Sequence, residues 1–362
     1  MMSPENRPIR WGLLGAGRVA RDFAEGLRSV PDARLVAVAS RTSETLHDFG
    51  RLCKPERLHA SYDELVSDDE IDIIYVSTPH HRHAADALSC IKYGKAVLCE
   101  KPFTLDALEA RTVVAEARRR GVFCMEAMWT RSLPLVRRLR TMVAEGAIGD
   151  LLMVTADFSV PTPFAPDNRF FDPTQGGGAL LDRGVYGVSL ASMLMGRPDF
   201  VSSHASMGST GVDEQVVVVM QHERALAQVT ASLRAIGSNE AFVMGTRGTI
   251  RVHAPFYRPE RMTLTPVVTS KPEPPGLAIK AKLRERAREN ALARQIYGHL
   301  RPILSRRSAV VERIRGNGYN YEAVEAQRCL RSGLLESPDM TLDESIEIME
   351  AIDRARATWS PG

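Results

Sequence analysis

The sequence predicts an α/β protein with a doubly wound parallel sheet in its first third, followed by an α+β unit built on a large mixed or antiparallel sheet. Three observations predict this. Short apolar runs alternate with helical stretches over residues 1–128. A glycine-rich turn follows the first of those runs. Beyond residue 150 the pattern changes to turn-bounded strands, closed by two amphipathic helices. A chain of 362 residues is long enough for two such units, placed here at 1–128 and 129–362.

The first apolar run, Ile9 to Leu14, reads as a buried strand. Gly15-Ala16-Gly17-Arg18-Val19-Ala20 follows, then a helical stretch to about Leu27 and a second strand from Leu35 to Ala39. This strand, glycine turn, helix and strand form the unit that binds a dinucleotide. Gly15 permits the tight turn, Gly17 lets the backbone approach a pyrophosphate, and Ala20 keeps the helix close to the sheet. Arg18 and Val19 open the helix, whose free N–H groups and dipole favour phosphate.

The end of the second strand bears on the choice of cofactor. An acidic residue there, about 20 residues beyond the glycines, would bond a ribose 2′-hydroxyl. This chain has Ser40-Arg41-Thr42 instead, which suits a 2′-phosphate and predicts NADP(H) over NAD(H). If Arg41 is merely solvated, the site would accept both.

Ile71 to Ser77 reads as the next strand and ends at Thr78-Pro79, over the expected cofactor. Ala84, Ala87, Leu88 and Ile91 mark the helix after it. His80, His81 and His83 lie between them. No carboxylate accompanies them at ligand spacing, so no metal is expected, and His80 and His83 are taken as cofactor neighbours. Ala96 to Glu100 is a further strand, leading into Lys101-Pro102, and Val122 to Glu126 another.

In the second unit, Leu151 to Phe158, Gln215 to Met220, Ala225 to Ser232, Ala241 to Gly245 and Thr249 to His253 read as strands. Gly245-Thr246-Arg247-Gly248 is a hairpin turn. Glu322 to Gly333 and Leu342 to Thr358 read as helices. Residues 271–316 hold twelve Lys and Arg against four Asp and Glu, and Lys280 to Leu300 reads as a basic amphipathic helix. A solvated insertion or dimer arm is the simple reading. A lid for an anionic substrate such as a nucleotide sugar is the sharper one, and contact with a membrane surface a third.

Composition excludes other classes. The net charge of +3 with no aromatic platform argues against nucleic acid, and no apolar run reaches membrane-spanning length. The polar start lacks a secretory signal, and the scattered cysteines (Cys53, Cys90, Cys99, Cys124, Cys329) suit reduced thiols. A cytoplasmic protein is expected.

The blocks GAGRVA, STPHHRHAADAL and KYGKAVLCEKPFTLDALEA resemble the glucose–fructose oxidoreductase/inositol dehydrogenase/rhizopine-catabolism (Gfo/Idh/MocA) family. MEAMWTRSLP, GGGALLDRGVYG and GNGYNYEAVEAQRCLRSGLLESPDMTLDESIEIMEAID are similar to its dimeric dihydrodiol dehydrogenase branch, which includes sugar ketoreductases. The resemblance implies an N-terminal Rossmann domain and a C-terminal α+β domain with a large, mostly antiparallel open sheet that often forms the interface of a homodimer. It also implies oxidoreduction of a cyclic alcohol or ketone, of sugar or trans-dihydrodiol type.

The same resemblance makes Tyr186 the proton donor and acceptor, Lys101 its electrostatic partner, and Asp182 a substrate or tyrosine positioner. An ammonium near the phenol would lower its pKa toward the working pH. Asp182 and Tyr186 are four apart and would share a helical face. Glu100 is expected beside the cofactor. Trp129 would stack on the nicotinamide or a sugar ring, or else sit in the core. Arg131 would bond a substrate hydroxyl or phosphate, or form an ordinary salt bridge. Phe158 would line the substrate wall or equally sit in the core, and Arg169 is a weaker substrate candidate. A keto-sugar on a nucleotide carrier is an alternative substrate. A non-catalytic NADP-sensing regulator is an alternative of another class, against which Lys101 and Tyr186 argue, since a sensor needs no proton relay.

Overall fold

A computed structural model describes residues 7–267 and 308–359. The first sheet is parallel and six-stranded, in the order β3-β2-β1-β4-β5-β6. Its strands are β1 (Ile9–Leu14), β2 (Ala33–Ala39), β3 (Arg57–His59), β4 (Ile73–Val76), β5 (Ala96–Glu100) and β6 (Cys124–Ala127). Helices α1 (Arg18–Leu27), α2 (Ser43–Cys53), α3 (Tyr62–Val66), α4 (His83–Lys92) and α5 (Ala107–Arg120) connect them. β1 and β4 are neighbours from which the chain winds outward in both directions. The crevice at their carboxyl ends is where such sheets bind ligands.

The strands were expected from their apolar runs, and four of the five are fully buried or nearly so along their length. β4 is shorter than Ile71 to Ser77, because Ile71 and Ser77 flank the paired stretch. β3 was not expected. It is three residues long and only half-buried, too short to show a period.

After β6 the chain passes through a 3₁₀ turn, Trp129–Ser132, into α6 (Pro134–Ala144). The second sheet has eight strands, in the order β14-β13-β12-β11-β7-β10-β9-β8. These are β7 (Leu151–Ser159), β8 (Phe200–Met207), β9 (Asp213–His222), β10 (Ala225–Ser232), β11 (Ala241–Gly245), β12 (Gly248–Val252), β13 (Arg261–Pro266) and β14 (Ser308–Val311). All pairings are antiparallel except β7 with β10. β8, β13 and β14 went unread in the sequence because they are polar and lie toward the edges.

Helix α7 (Val185–Met195) lies on one face of this sheet. The contact is close: a Cβ at Gly187 would come within 2.6 Å of Val229 Cγ1, so only glycine fits beside Tyr186. On the other face Val217, Val219 and Leu226 point to solvent, 39%, 38% and 45% exposed.

Two helices near the C-terminus return to the first unit. Helix α8 (Tyr319–Arg331) packs on α1, and Ala323, Ala326 and Cys329 join the core formed by Trp11, Phe23 and Tyr75. Helix α9 (Leu342–Arg356) bridges α5, α7 and β8. The core of the first unit is thus completed by residues from beyond position 318. The expected helix at Lys280 to Leu300 lies outside the described residues, as do residues 271–307 of the basic stretch.

Candidate active site

A cleft of about 410 Å³ opens at the carboxyl ends of β1, β2, β4 and β5. Gly15, Gly17, Arg18, Val19, Ser40 and Thr42 line one part of it, and Thr78, Pro79, His80, His83, Glu100, Lys101 and Arg169 the other. Gly15 sits at φ +107°, where a side chain would be strained, and a Cβ there would lie 3.0 Å from Ser77 O. A Cβ on Gly17 would meet nothing within 4 Å, so the backbone faces open space.

The first turn of α1 carries no side-chain cap, which leaves its N–H groups available. The buried Thr78 hydroxyl also has no partner. Uncapped amides, a bare glycine and an orphaned hydroxyl fit a dinucleotide pyrophosphate and its neighbouring groups. Arg41 is exposed at the rim, its guanidinium 5.7 Å from the centre of the Tyr62 ring, and Tyr62 and Thr45 line the cleft beside it. Those two residues were not read from the sequence.

Deeper in, Lys101 follows directly on β5. Its ammonium donates to Asp182 O at 2.9 Å, approaches Asp182 Oδ1 at 3.5 Å, and lies 4.9 Å from the centre of the Tyr186 ring. Asp182 belongs to a single π-helical turn, Leu180–Gly184, that runs into α7. Asp182 and Tyr186 therefore do meet one partner, across a change of helical pitch rather than along a uniform α-helix.

Asp182 Oδ1 also accepts from both terminal nitrogens of Arg169, each at 3.2 Å. Burial opposes ionisation of Asp182. The charges of Lys101, Arg169 and Arg183 outweigh it and hold the carboxylate well below its ordinary range. Arg169, expected as a substrate ligand, is engaged with Asp182 and with His80 Nε2 at 3.2 Å, though it lines the cleft.

His80 is driven well below its usual value by burial, so its ring is neutral, and its Nδ1 faces Gly176 O at 3.0 Å. His83 is buried between two carbonyls, Pro102 O at 2.7 Å and Thr78 O at 2.8 Å. It ties the β4 loop to the segment after Lys101. Among the described residues, no group of three or more His, Cys, Asp or Glu is placed to hold a metal.

Tyr186 differs from the expectation. Burial pushes its hydroxyl well above the ordinary value, the charge of Glu100 adds to this, and a bond from Trp129 only partly opposes it. Lys101 faces the ring rather than lowering the phenol's pKa. The hydroxyl is therefore protonated at neutral pH.

Trp129 is the source of that bond: its Nε1 donates to the Tyr186 hydroxyl at 3.1 Å, and its ring stacks on Tyr319 at 4.8 Å and 11°. It does not line the cleft. Phe158 stands 5.4 Å from the Tyr186 ring and stacks on Tyr257 at 4.0 Å. Together they form an aromatic wall against the Tyr186 ring.

Arg131 is a correction. Its guanidinium is buried and used up by Glu344 Oε1 at 2.8 Å, by Ser189 Oγ and O at 2.9 and 3.0 Å, and by Asp339 O. It ties the turn after β6 to α7 and α9, and it does not line the cleft.

Tyr257 and Tyr319 were missed because loops far along the chain bring them to Tyr186. Glu100 is held by the Tyr75 hydroxyl and by its neighbour's amide, Lys101 N to Oε2 at 3.1 Å.

A glycine-floored dinucleotide cleft with a lysine at its inner end, and a buried tyrosine against that lysine, defines an NAD(P)-dependent oxidoreductase. The chain belongs to the GFO/IDH/MocA oxidoreductase family. Residues 9–128 match the family's NAD-binding Rossmann fold, and residues 136–251 match a GFO/IDH/MocA C-terminal domain.

Among its relatives, trans-1,2-dihydrobenzene-1,2-diol dehydrogenase of Bos taurus is 34% identical over 353 residues, which cover 96% of each chain. The enzyme of that name from Macaca fascicularis is 35% identical over 361 residues, 98% of each. Among solved structures, KijD10, a 3-ketoreductase from Actinomadura kijaniata in complex with NADP and TDP-benzene, superposes with a TM-score of 0.78 at 23% identity. That match covers 98% of this chain and 100% of the other. Levoglucosan dehydrogenase, in complex with NADH and levoglucosan, gives 0.81 at 18% identity, with 97% of each chain covered. At these identities the structural likeness establishes the fold.

Proposed function

We propose that this chain is an NADP(H)-dependent oxidoreductase that interconverts a cyclic secondary alcohol and its ketone, of trans-dihydrodiol or sugar type. The observation that carries this is the placing of Lys101 4.9 Å from the Tyr186 ring at the inner end of the glycine cleft. The bound dinucleotide supplies or accepts the hydride.

The chain's own residues do the rest. Gly15, Gly17 and the start of α1 hold the pyrophosphate, and Ser40, Arg41 and Thr42 grip a 2′-phosphate. Thr78, Pro79, His80, His83 and Glu100 shape the inner end of the cleft. Tyr186 carries the proton given to a nascent alkoxide: burial keeps the phenol protonated before the reaction, and the alkoxide is the stronger base. Lys101 offers a fixed positive charge beside the reacting oxygen, and Asp182 with Arg169 fixes that lysine. The aromatic wall of Phe158 and Tyr257 offers a flat apolar face to a ring-shaped substrate. The relatives are named for a cyclic diol, which agrees with that wall.

A keto-sugar on a nucleotide carrier is the second reading, favoured by the positive excess in residues 271–316 and by the TDP ligand of the KijD10 neighbour. The outward face of the second sheet, with Val217, Val219 and Leu226, would pair with a second copy in a homodimer. Among the described residues no helix is long and apolar enough to cross a membrane. The free cysteines suit a cytoplasmic setting.

The test is consumption of NADPH by purified protein with trans-dihydrodiol-derived ketones, free keto-sugars and nucleotide-linked keto-sugars, each set against NADH. Turnover of a free cyclic ketone with NADPH supports the proposal. No turnover of any of them sinks it.

A further inference from the structure

The Trp129 indole reaches the Tyr186 hydroxyl from a short 3₁₀ turn, and its side chain can rotate about its own bonds. A single N–H is all the indole offers, so one hydrogen bond alone does not fix its plane. A second contact does. The Tyr319 ring lies flat on the indole, with centres 4.8 Å apart and planes 11° from parallel. Stacking of this kind sets tilt as well as distance. An N–H···O bond weakens steeply as its angle closes, so a tilted indole would lose the Tyr186 hydroxyl without leaving its place.

Tyr319 opens α8 directly after Gly316-Asn317-Gly318. This segment approaches its neighbours closely on two sides. Gly318 stands at φ +106°, and a Cβ there would come within 2.7 Å of Trp129 Cζ3. Toward α1, a Cβ on Gly26 would meet Asn317 Oδ1 at 2.7 Å and Tyr319 Cβ at 3.1 Å. Asn317 Nδ2 donates to Asp22 O of α1 at 2.6 Å, and its Oδ1 accepts the Tyr319 amide at 3.2 Å. The Tyr319 ring also meets Phe23 of α1 edge-on at 6.4 Å. Tyr319 is thus fastened to α1 while its ring faces the indole.

We propose that Tyr319 is a positioning residue for the proton donor: it holds the Trp129 indole in the plane where its N–H meets the Tyr186 hydroxyl, and it takes its own place from α1, the helix that opens on the dinucleotide cleft. Tyr319 does not line the cleft and acts through Trp129. Its ring supplies the contact, so Tyr319→Phe keeps the function and Tyr319→Leu removes it.

The primary test does not depend on turnover. The chain has three tryptophans, Trp11, Trp129 and Trp359, whose indole N–H exchange with solvent can be followed separately by NMR of the full-length protein. Tyr186→Phe removes the acceptor and should speed exchange at Trp129 roughly two- to tenfold. Tyr319→Leu should speed it by a similar factor, and Tyr319→Phe should leave it at the wild-type rate. Adding Tyr319→Leu to Tyr186→Phe should change nothing further, since the bond is already gone. Trp11 is the control, because it packs in the core that α8 completes. A wild-type rate at Trp129 in Tyr319→Leu overturns the proposal. So does an equal acceleration at Trp11, which would show general loosening of the core.

Activity supplies the second readout, and it alone rests on Tyr186 as the proton donor. Tyr319→Leu should lower kcat roughly two- to tenfold with KM for the ketone unchanged, and should move the alkaline limb to higher pH. In a Trp129→Phe background it should lower kcat no further. Losses that multiply in the double variant overturn the proposal. Altered exchange with a wild-type kcat supports the placing of the indole and counts against Tyr186 as the donor. If Tyr319→Leu does not fold, Gly318→Ala presses a methyl group on the indole and should give the same changes in exchange and kcat. Wild-type values for both in Gly318→Ala overturn the proposal.

Discussion

The indole of Trp129 donates a hydrogen bond to the hydroxyl of Tyr186 at 3.1 Å, so the proton-bearing oxygen of the site is gripped by a residue that has no proton to exchange. An indole N–H stabilises phenolate more than phenol, and it opposes the upward push of burial on Tyr186.

Trp129→Phe keeps the ring stacked on Tyr319 and removes only the donor. The Tyr186 pKa should rise further and the alkaline limb of the reduction profile should move up. Losing one such bond, about 0.5–1.5 kcal/mol, predicts a fall in kcat of roughly two- to tenfold. Profiles of kcat against pH for both proteins, with cofactor affinity followed by fluorescence, check this.

Lys101 is held by Asp182 and faces the Tyr186 ring. Lys101→Met should cut kcat/KM by about 10²–10⁴-fold while NADPH still binds. Lys101→Arg should not restore the rate, because a planar fork does not reproduce a compact ammonium over the ring. Steady-state kinetics of the two variants decide the matter.

Arg41 sits at the cleft rim beside Ser40 and Thr42. If it grips a 2′-phosphate, Arg41→Ala should raise the KM for NADPH by about 10- to 100-fold, the worth of a charge-assisted bond, and leave NADH almost unchanged. Equal effects on both cofactors would show a residue indifferent to the phosphate.

Asp213 accepts the Leu180 amide at 2.6 Å and so anchors the start of the π-helical turn that carries Asp182. Burial raises its pKa from 3.8 to about 7. Because the folded value lies above the unfolded one, its contribution to stability is complete below the unfolded value. It is lost as the pH rises through about 7. Tm measured from pH 4 to pH 8 should therefore fall less steeply in Asp213→Asn than in wild type. A wild-type slope that the substitution leaves unaltered would refute this.

How much was legible depended on how local each feature is. The glycine turn and its flanking strands could be read because Gly15, Gly17 and β1 are contiguous and their chemistry is set by backbone geometry. β8, FVSSHASM, could not, since its alternation of small polar residues carries little apolar signal. Tyr186 and Lys101 came from resemblance, because no periodicity links a β5 lysine to the start of α7. Arg131 was read as either a substrate ligand or an ordinary salt bridge, and its partner Glu344, far along the chain, makes it a buried form of the second.

The central claim is that Tyr186 delivers the proton for an NADPH-driven ketone reduction. The direct measurement is single-turnover oxidation of enzyme-bound NADPH by a cyclic ketone in wild type and in Tyr186→Phe. The account predicts that the substitution slows this step by about 10²–10⁴-fold while NADPH binds as before. Equal single-turnover rates in the two proteins would contradict it.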